Sequence, residues 1–297
     1  FRVRLPLQSS MAKNILAKGW RYHLNGGMFK TILKFEEFQP SKSAGDVLVK
    51  VQGAPITQAD LDQIRGFSGS IPLPAVAGTT GFGIIAEASG ALKEGDRVAV
   101  AAGGTWATQA AANSARVLKL PATLPAEYAS TFLVGPMAAY QILKASGLKP
   151  GDTMVMDGET SLVGGFVSQL AKAWGINVVP IDTAKNVKFA LSLVGGASSA
   201  ALSGALGEEA KMTVFTAASD EPQIIGSGKR INVDAFSPVK SLLATSAPAK
   251  EEMVTELADL IAGKKLTATL TKHPLAGVLA GVDAASAGTG AHWVSTA

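Results

Sequence analysis

The sequence predicts an α/β fold in which a β-rich first part surrounds a parallel-sheet middle. Three observations predict it. First, the strand-like run Thr153-Met154-Val155-Met156 enters Asp157-Gly158-Glu159-Thr160-Ser161-Leu162-Val163-Gly164-Gly165, and a helical pattern then continues to Trp174. A strand, a Gly-rich turn and a helix make the phosphate cradle of a Rossmann-type nucleotide domain. The backbone there approaches a pyrophosphate closely, and the helix N-terminus supplies N–H donors. Second, short strand patterns between Gly, Pro, Ser and Asp turns fill the chain before residue 126. Third, strands and helices alternate from Ala126 onward, the pattern of an α/β layer.

In chain order, Lys13 to Ala17, Thr31 to Phe35 and Val47 to Val51 read as strands, separated by turns at Gly26-Gly27 and Ser43-Ala44-Gly45-Asp46. Thr57 is an N-cap for a helix over Gln58 to Arg65. Gly66 to Pro74 is a loop, and Gly81 to Glu87, Arg97 to Ala101 and Thr105 to Ala110 are further strands. Ala126 to Leu133 and Met137 to Ser146 are helical, Pro136 being tolerated at a helix start. After the cradle come strands at Ile176 to Ile181 and Val187 to Val194, a helix at Ser198 to Leu206 and a strand at Met212 to Thr216. An amphipathic helix covers Lys250 to Ala262; then follow Thr267 to Leu270, a helix from Leu275 and a last strand at His292 to Ser295.

Composition bounds the function. Of 297 residues, 47% are hydrophobic and 17% charged, which suits a globular chain with a large core in one or two domains. No uncharged apolar run reaches the roughly 18 residues of a membrane span. The net charge is +4 and the basic residues are scattered without interleaved aromatics, so no nucleic-acid contact is expected. Cysteine is absent, which excludes disulfides, thiolate metal sites and a cysteine nucleophile. His23, His273 and His292 stand in no ligand spacing, so no metal is expected and each reads as a surface or packing residue. From Phe1 to Phe35 there is no acid but there are seven Lys or Arg, the composition of a mitochondrial transit segment or its remnant.

The order of motifs resembles the medium-chain dehydrogenase/reductases. It is most similar to the zinc-free quinone oxidoreductases and the mitochondrial trans-2-enoyl-CoA reductases. The matching stretches are Ala54-Pro55-Ile56-Thr57-Gln58-Ala59-Asp60, Leu73-Pro74-Ala75-Val76-Ala77-Gly78, Gly95-Asp96-Arg97-Val98, Gly104-Thr105-Trp106, Leu148-Lys149-Pro150-Gly151-Asp152, Gln169-Leu170-Ala171-Lys172 and Val194-Gly195-Gly196. The resemblance implies a GroES-like catalytic-type domain from residues 1–125 and 239–297, and a shortened Rossmann-type doubly wound sheet over 126–238. It also implies NADPH in the cleft between them. Ser161, Val163, Gly164, Asp182 and Gly195 are the residues that would hold NAD(P)H if it is bound.

Three departures bear on activity. Leu162 stands where the resemblance implies glycine, and Asp157 and Glu159 bring negative charge to the turn. Only Thr183-Ala184-Lys185-Asn186 separate Asp182 from the next strand, too few for a βαβ crossover of at least about ten residues. The edge strand that would follow is therefore missing, and the adenosine side is shortened. Counting back from Leu73-Pro74-Ala75-Val76, the place of the enoyl reductases' proton-delivering tyrosine falls on Phe67, which has no hydroxyl and reads as a loop-packing residue. A group without an ionisable proton cannot act as a general acid. The expectation is a non-catalytic reductase-like accessory subunit that binds no cofactor. It would sit among other protein subunits of a mitochondrial matrix assembly, with respiratory complex I first. The alternative is an NAD(P)H-dependent quinone or 2-enoyl-thioester reductase.

Overall fold

The computed structural model describes residues 16–67, 69, 71–215, 221–226 and 228–296. The acid-poor segment before Leu16 lies outside them, as does most of the strand expected at Lys13 to Ala17. The first strand, β1 (Ala17–Tyr22), pairs antiparallel with β2 (Leu33–Phe38), and the short helix α1 (Phe29–Ile32) lies between them. The strand expected from Thr31 thus starts later, because Phe29 and Ile32 are buried on one side of a helical turn.

β3 (Asp46–Ile56) is the long central strand of the β-rich part. Helix α2 (Gln58–Arg65) follows it at once, and its start was legible in the sequence. Thr57 and Asp60 form a capping box, each side chain taking the other's backbone N–H. Next come β4 (Ala75–Val76), β5 (Gly81–Glu87), β6 (Arg97–Val100), β7 (Gln109–Asn113) and β8 (Val117–Lys119). β7 begins later than the expected Thr105, since Thr105 and Trp106 are wholly buried and pack under Gly78.

The middle contains α3 (Ala126–Ser130), α4 (Pro136–Ser146), β9 (Thr153–Met156), α5 (Leu162–Ala173), β10 (Asn177–Val178), β11 (Val187–Ser192), α6 (Gly196–Ala205), β12 (Leu206–Val214) and β13 (Asn232–Ala235). Its five strands are all parallel, in the order β10-β9-β11-β12-β13. This is the shortened doubly wound sheet, with β10 at the edge and no strand beyond it among the described residues. β10 is shorter than the expected Ile176 to Ile181. Pro180 has no N–H to add to a ladder, and the chain turns there. Residues 179–186 then carry the chain past β9 to β11, which resolves the tight connection the sequence posed. β13 gives no sequence signal because all four of its residues are exposed.

Helix α5 shows why this layer holds. Val163, Phe166, Val167, Leu170 and Ala171 recur at helical spacing and are all buried, and Ser161 caps the helix by accepting from Gly164 N. Each large apolar side chain so buried contributes about 1.5–3 kcal/mol. Two more helices, α7 (Pro238–Ala244) and α8 (Ala247–Ala262), lie beyond residue 238. Their Leu242, Met253, Leu257 and Ile261 share one core cluster with Phe166 and Met154 of the nucleotide-type layer.

The chain then returns to the β-rich part. β14 (Leu270–Pro274) and β15 (Ala291–Ser295) pair in parallel across helix α9 (Val278–Ser286). β15 runs antiparallel to the end of β3, giving a seven-stranded sheet in the order β14-β15-β3-β5-β6-β8 with β7 on β3. No helix among the described residues is long and apolar enough to cross a membrane.

Candidate active-site cleft

A cavity of about 340 Å³ lies where the two parts meet. One wall is the turn between β9 and α5, with Gly158, residues 160–163, Val194 and Phe215. The other is the end of β3 with the start of α2, residues 55–59, together with Ala291 and His292 of β15.

The turn is built tightly. Gly158 has φ +64°, and a Cβ on Gly164 would stand 2.1 Å from the Gly158 carbonyl oxygen. Glycine at 164 is therefore a packing requirement within the turn. The amides of Leu162 and Val163 belong to the first helical turn, whose N–H groups have no intrahelical acceptor.

The two acids of this turn behave differently from expectation, and Leu162 does not. Asp157 does not charge the cleft. It is buried, and its Oδ1 accepts from Leu193 N and, at 3.1 Å, from Val194 N. Its Oδ2 accepts from Ser192 Oγ at 3.4 Å, so the carboxylate ties the end of β9 to the β11–α6 loop. Glu159 is exposed and faces a neighbouring hollow beside Thr267 and Thr271. Leu162 turns toward Gly135 and the core cluster of Val163 and Phe166, and so forms cleft wall. Leu162 is only half-buried and lines both this cleft and the neighbouring hollow, so part of its side chain still faces the cavity.

Of the residues expected to hold a dinucleotide, Ser161 and Val163 line the cleft. Gly164 supports the turn from behind. Gly195, with φ +92°, begins α6, and a Cβ there would meet the Glu221 carbonyl oxygen at 2.5 Å. Asp182 is exposed in the turn after β10 and does not line this cleft. Phe67 is 71% exposed and also outside the cleft wall, so it does not pack its loop as expected. Its amide donates to Asp62 O at the end of α2, just past Gly66 at φ +93°.

On the opposite wall Asp60 fixes the segment 57–59. It is wholly buried, and its carboxylate accepts from the backbone N and hydroxyl of both Thr57 and Thr79, at 2.6 to 2.8 Å. Burial pushes the carboxyl above its usual range, against the pull of those four bonds.

A pair of histidines was missed altogether. His292 lines the cleft, is 5% exposed, and accepts or donates at Nδ1 with His273 Nε2 at 3.1 Å. Its own Nε2 is buried and has no hydrogen-bond partner among the described residues. Burial first, and the His273 charge second, lower its pKa from 6.5. The register explains the meeting: Thr271 pairs with His292, and His273, two residues on, shares its face. The two lie far apart in sequence, and only the parallel β14–α9–β15 crossover unites them. Among the described residues no group of His, Asp or Glu could hold a metal ion.

Comparison with known proteins fits this architecture. The alcohol dehydrogenase GroES-like domain matches residues 43–152. A mitochondrial enoyl-[acyl-carrier-protein] reductase of Caenorhabditis elegans is 30% identical over 301 residues, covering 86% of this chain and 86% of that protein. The chain belongs to the medium-chain dehydrogenase/reductase family. The Xenopus tropicalis enoyl-[acyl-carrier-protein] reductase is 32% identical over 176 residues, 57% of this chain and 50% of the relative's length. Two solved structures share the medium-chain reductase fold. Escherichia coli quinone oxidoreductase complexed with NADPH superposes with a TM-score of 0.81 at 19% identity, over 94% of this chain and 99% of that one. A mutant enoyl thioester reductase of Candida tropicalis gives 0.76 at 22% identity, over 95% and 100%.

Proposed function

We propose that this chain is a mitochondrial NAD(P)H-dependent reductase of a conjugated C=C bond, with a 2-enoyl thioester as its substrate. The observation that carries the reading is the cleft itself. The glycine turn at the start of α5 opens on the same cavity as the β3–α2 junction and His292. The turn fits a pyrophosphate, since Gly158 puts no side chain on the cleft wall and both of its acids point elsewhere. The first-turn amides of α5 and its positive dipole end would bind the phosphates. When bound, the nicotinamide supplies the hydride. The residues that would hold the cofactor are Ser161 and Val163 from the turn, and the segment 55–59, clamped by Asp60, from the other wall. The likeness to an enoyl reductase over 86% of this chain supports a thioester over a quinone. The relatives' names support a mitochondrial location.

Two observations favour a second reading, a non-catalytic accessory subunit of a mitochondrial assembly such as complex I. Phe67 lacks the hydroxyl the resemblance implies and stands exposed, and Asp182 is away from the cleft. A single experiment separates the two. The purified chain is given NADPH or NADH with crotonyl-CoA, followed at 340 nm, with the saturated product identified by mass spectrometry. Turnover on the ordinary scale of about 1–10³ s⁻¹ supports the reductase. NADPH binding or no binding, without product, overturns it in favour of the accessory reading.

A further inference from the structure

We propose that this cleft recognises a nicotinamide cofactor through its mononucleotide half, with the adenosine half left in solvent. The inference rests on the reductase reading and specifies which part of the cofactor the chain holds. In a doubly wound sheet the pyrophosphate sits on the helix that follows the first strand. The adenosine ribose lies beyond the end of the second strand, where an acid takes its hydroxyl. Here those roles fall to β9 with α5, and to β10 with residues 179–186.

The phosphate side is in place. Leu162 and Val163 begin α5, line the cavity and have N–H groups without an intrahelical acceptor. At about 340 Å³ the cavity is at the small end of ligand sites, which run from about 300 to 1,000 Å³. It must also admit the reacting end of the substrate, so it has room for one nucleotide and not for two.

The adenosine side is not. β10 has two residues, and the chain after it leaves the carboxyl end of the sheet and runs back to the start of the parallel β11. On the way Val179, Ile181 and Ala184 pack on the cluster of Val155, Val187 and Leu202. Asp182 lies in this stretch, exposed and outside the cavity lining. Lys185 is exposed too, and no lysine or arginine lines the cavity, so a 2′-phosphate meets no counter-charge there. The neighbouring β11–α6 turn has its backbone donors in use. Leu193 N and Val194 N bond to Asp157, and Gly196 N donates to the Pro222 carbonyl at 2.7 Å. The same segment presses on Gly195, where a Cβ would stand 2.5 Å from the Glu221 carbonyl oxygen. Ser199 Oγ, in the first turn of α6, is bonded to Gly196 and Ile224. A dinucleotide therefore gains little from its second half. NADH and NADPH differ only on the adenosine ribose, so the chain discriminates weakly between them.

The test uses the full chain and three reductants: NADPH, NADH and dihydronicotinamide mononucleotide, which lacks the adenosine half. Fluorescence titration gives their dissociation constants. Displacement of bound NADPH by nicotinamide mononucleotide and by 2′,5′-ADP shows which half is held, and product formation from crotonyl-CoA is followed with each reductant. The expected result is three dissociation constants within about tenfold of one another, a factor that corresponds to about 1.4 kcal/mol. The mononucleotide displaces NADPH, 2′,5′-ADP does not, and the reduced mononucleotide supports turnover. NADPH bound more than about tenfold tighter than the reduced mononucleotide overturns the proposal. So does displacement by 2′,5′-ADP, or turnover with NADPH and none with the reduced mononucleotide; in each case product from NADPH keeps the reductase reading. Equal binding of all three without product overturns the reductase reading and leaves the recognition of the mononucleotide half standing. A chain that binds none of the three overturns both.

Discussion

Asp157 separates two physical pictures of the cofactor turn. As a charge beside a pyrophosphate it would repel by about 1–4 kcal/mol at about 4 Å, depending on the local dielectric. The structure makes it a buried acceptor for Leu193 N, Val194 N and Ser192 Oγ. Asp157→Ala leaves the buried Leu193 N–H and the part-buried Val194 N–H without this acceptor, at about 1–3 kcal/mol each, so a loss of about 2–6 kcal/mol is expected, the lower half for the part-buried group. Asp157→Asn keeps an oxygen that can accept from both amides and loses only the charge assistance. About 1–2 kcal/mol is expected there. Denaturant unfolding followed by circular dichroism measures both variants, and NADPH fluorescence titration measures affinity. The expected order of stability is parent, then Asn, then Ala, with no gain in affinity for Asn. If Asp157→Asn binds NADPH about tenfold tighter at unchanged stability, the clamp argument is wrong and the charge does face the phosphates.

Four further outcomes are expected. Gly164→Ala forces a methyl against the Gly158 carbonyl oxygen, where the Cβ would lie at 2.1 Å, so the turn must open. NADPH affinity should fall at least about tenfold and stability by about 1–3 kcal/mol, and unchanged binding would contradict the cradle. Glu159→Gln, at an exposed position outside the cleft, should change NADPH affinity by less than about fivefold, the scale of a surface charge effect. Ser161→Ala should lower stability by about 1 kcal/mol through loss of the α5 cap, seen in the same unfolding curves. The His292 imidazole resonance should titrate below 6.5, because burial depresses it. As pH falls below that value the unfolded chain binds the proton first, so stability drops on the acid side; a midpoint above 6.5 by NMR would remove the burial argument.

Much of the fold was written in local pattern. The capping box at Thr57 and Asp60 marks the start of α2, and the spacing of Val163, Phe166, Val167, Leu170 and Ala171 marks α5, because helices bury one stripe. The short chain after Ile181 foretold the missing edge strand, a statement about reach alone, and β10 is indeed the edge among the described residues. β13 gave no signal since it buries nothing, and Pro180 ended β10 earlier than its hydrophobic run suggested. The site was legible only in its backbone. Gly158 and Gly164 announced a close turn, but a sequence carries no side-chain directions. Whether Asp157 clamps or repels, and whether Leu162 fills core or cleft, depended on Leu193, Val194 and Gly135, all distant in the chain. The His273–His292 pair needed more still: a parallel register set across α9, which places Thr271 beside His292 and so brings His273 onto its face. Local propensity fixes where elements begin and which stripe they bury. Which distant polar atoms then face each other follows from strand register and layer packing, and only the tertiary structure decides that.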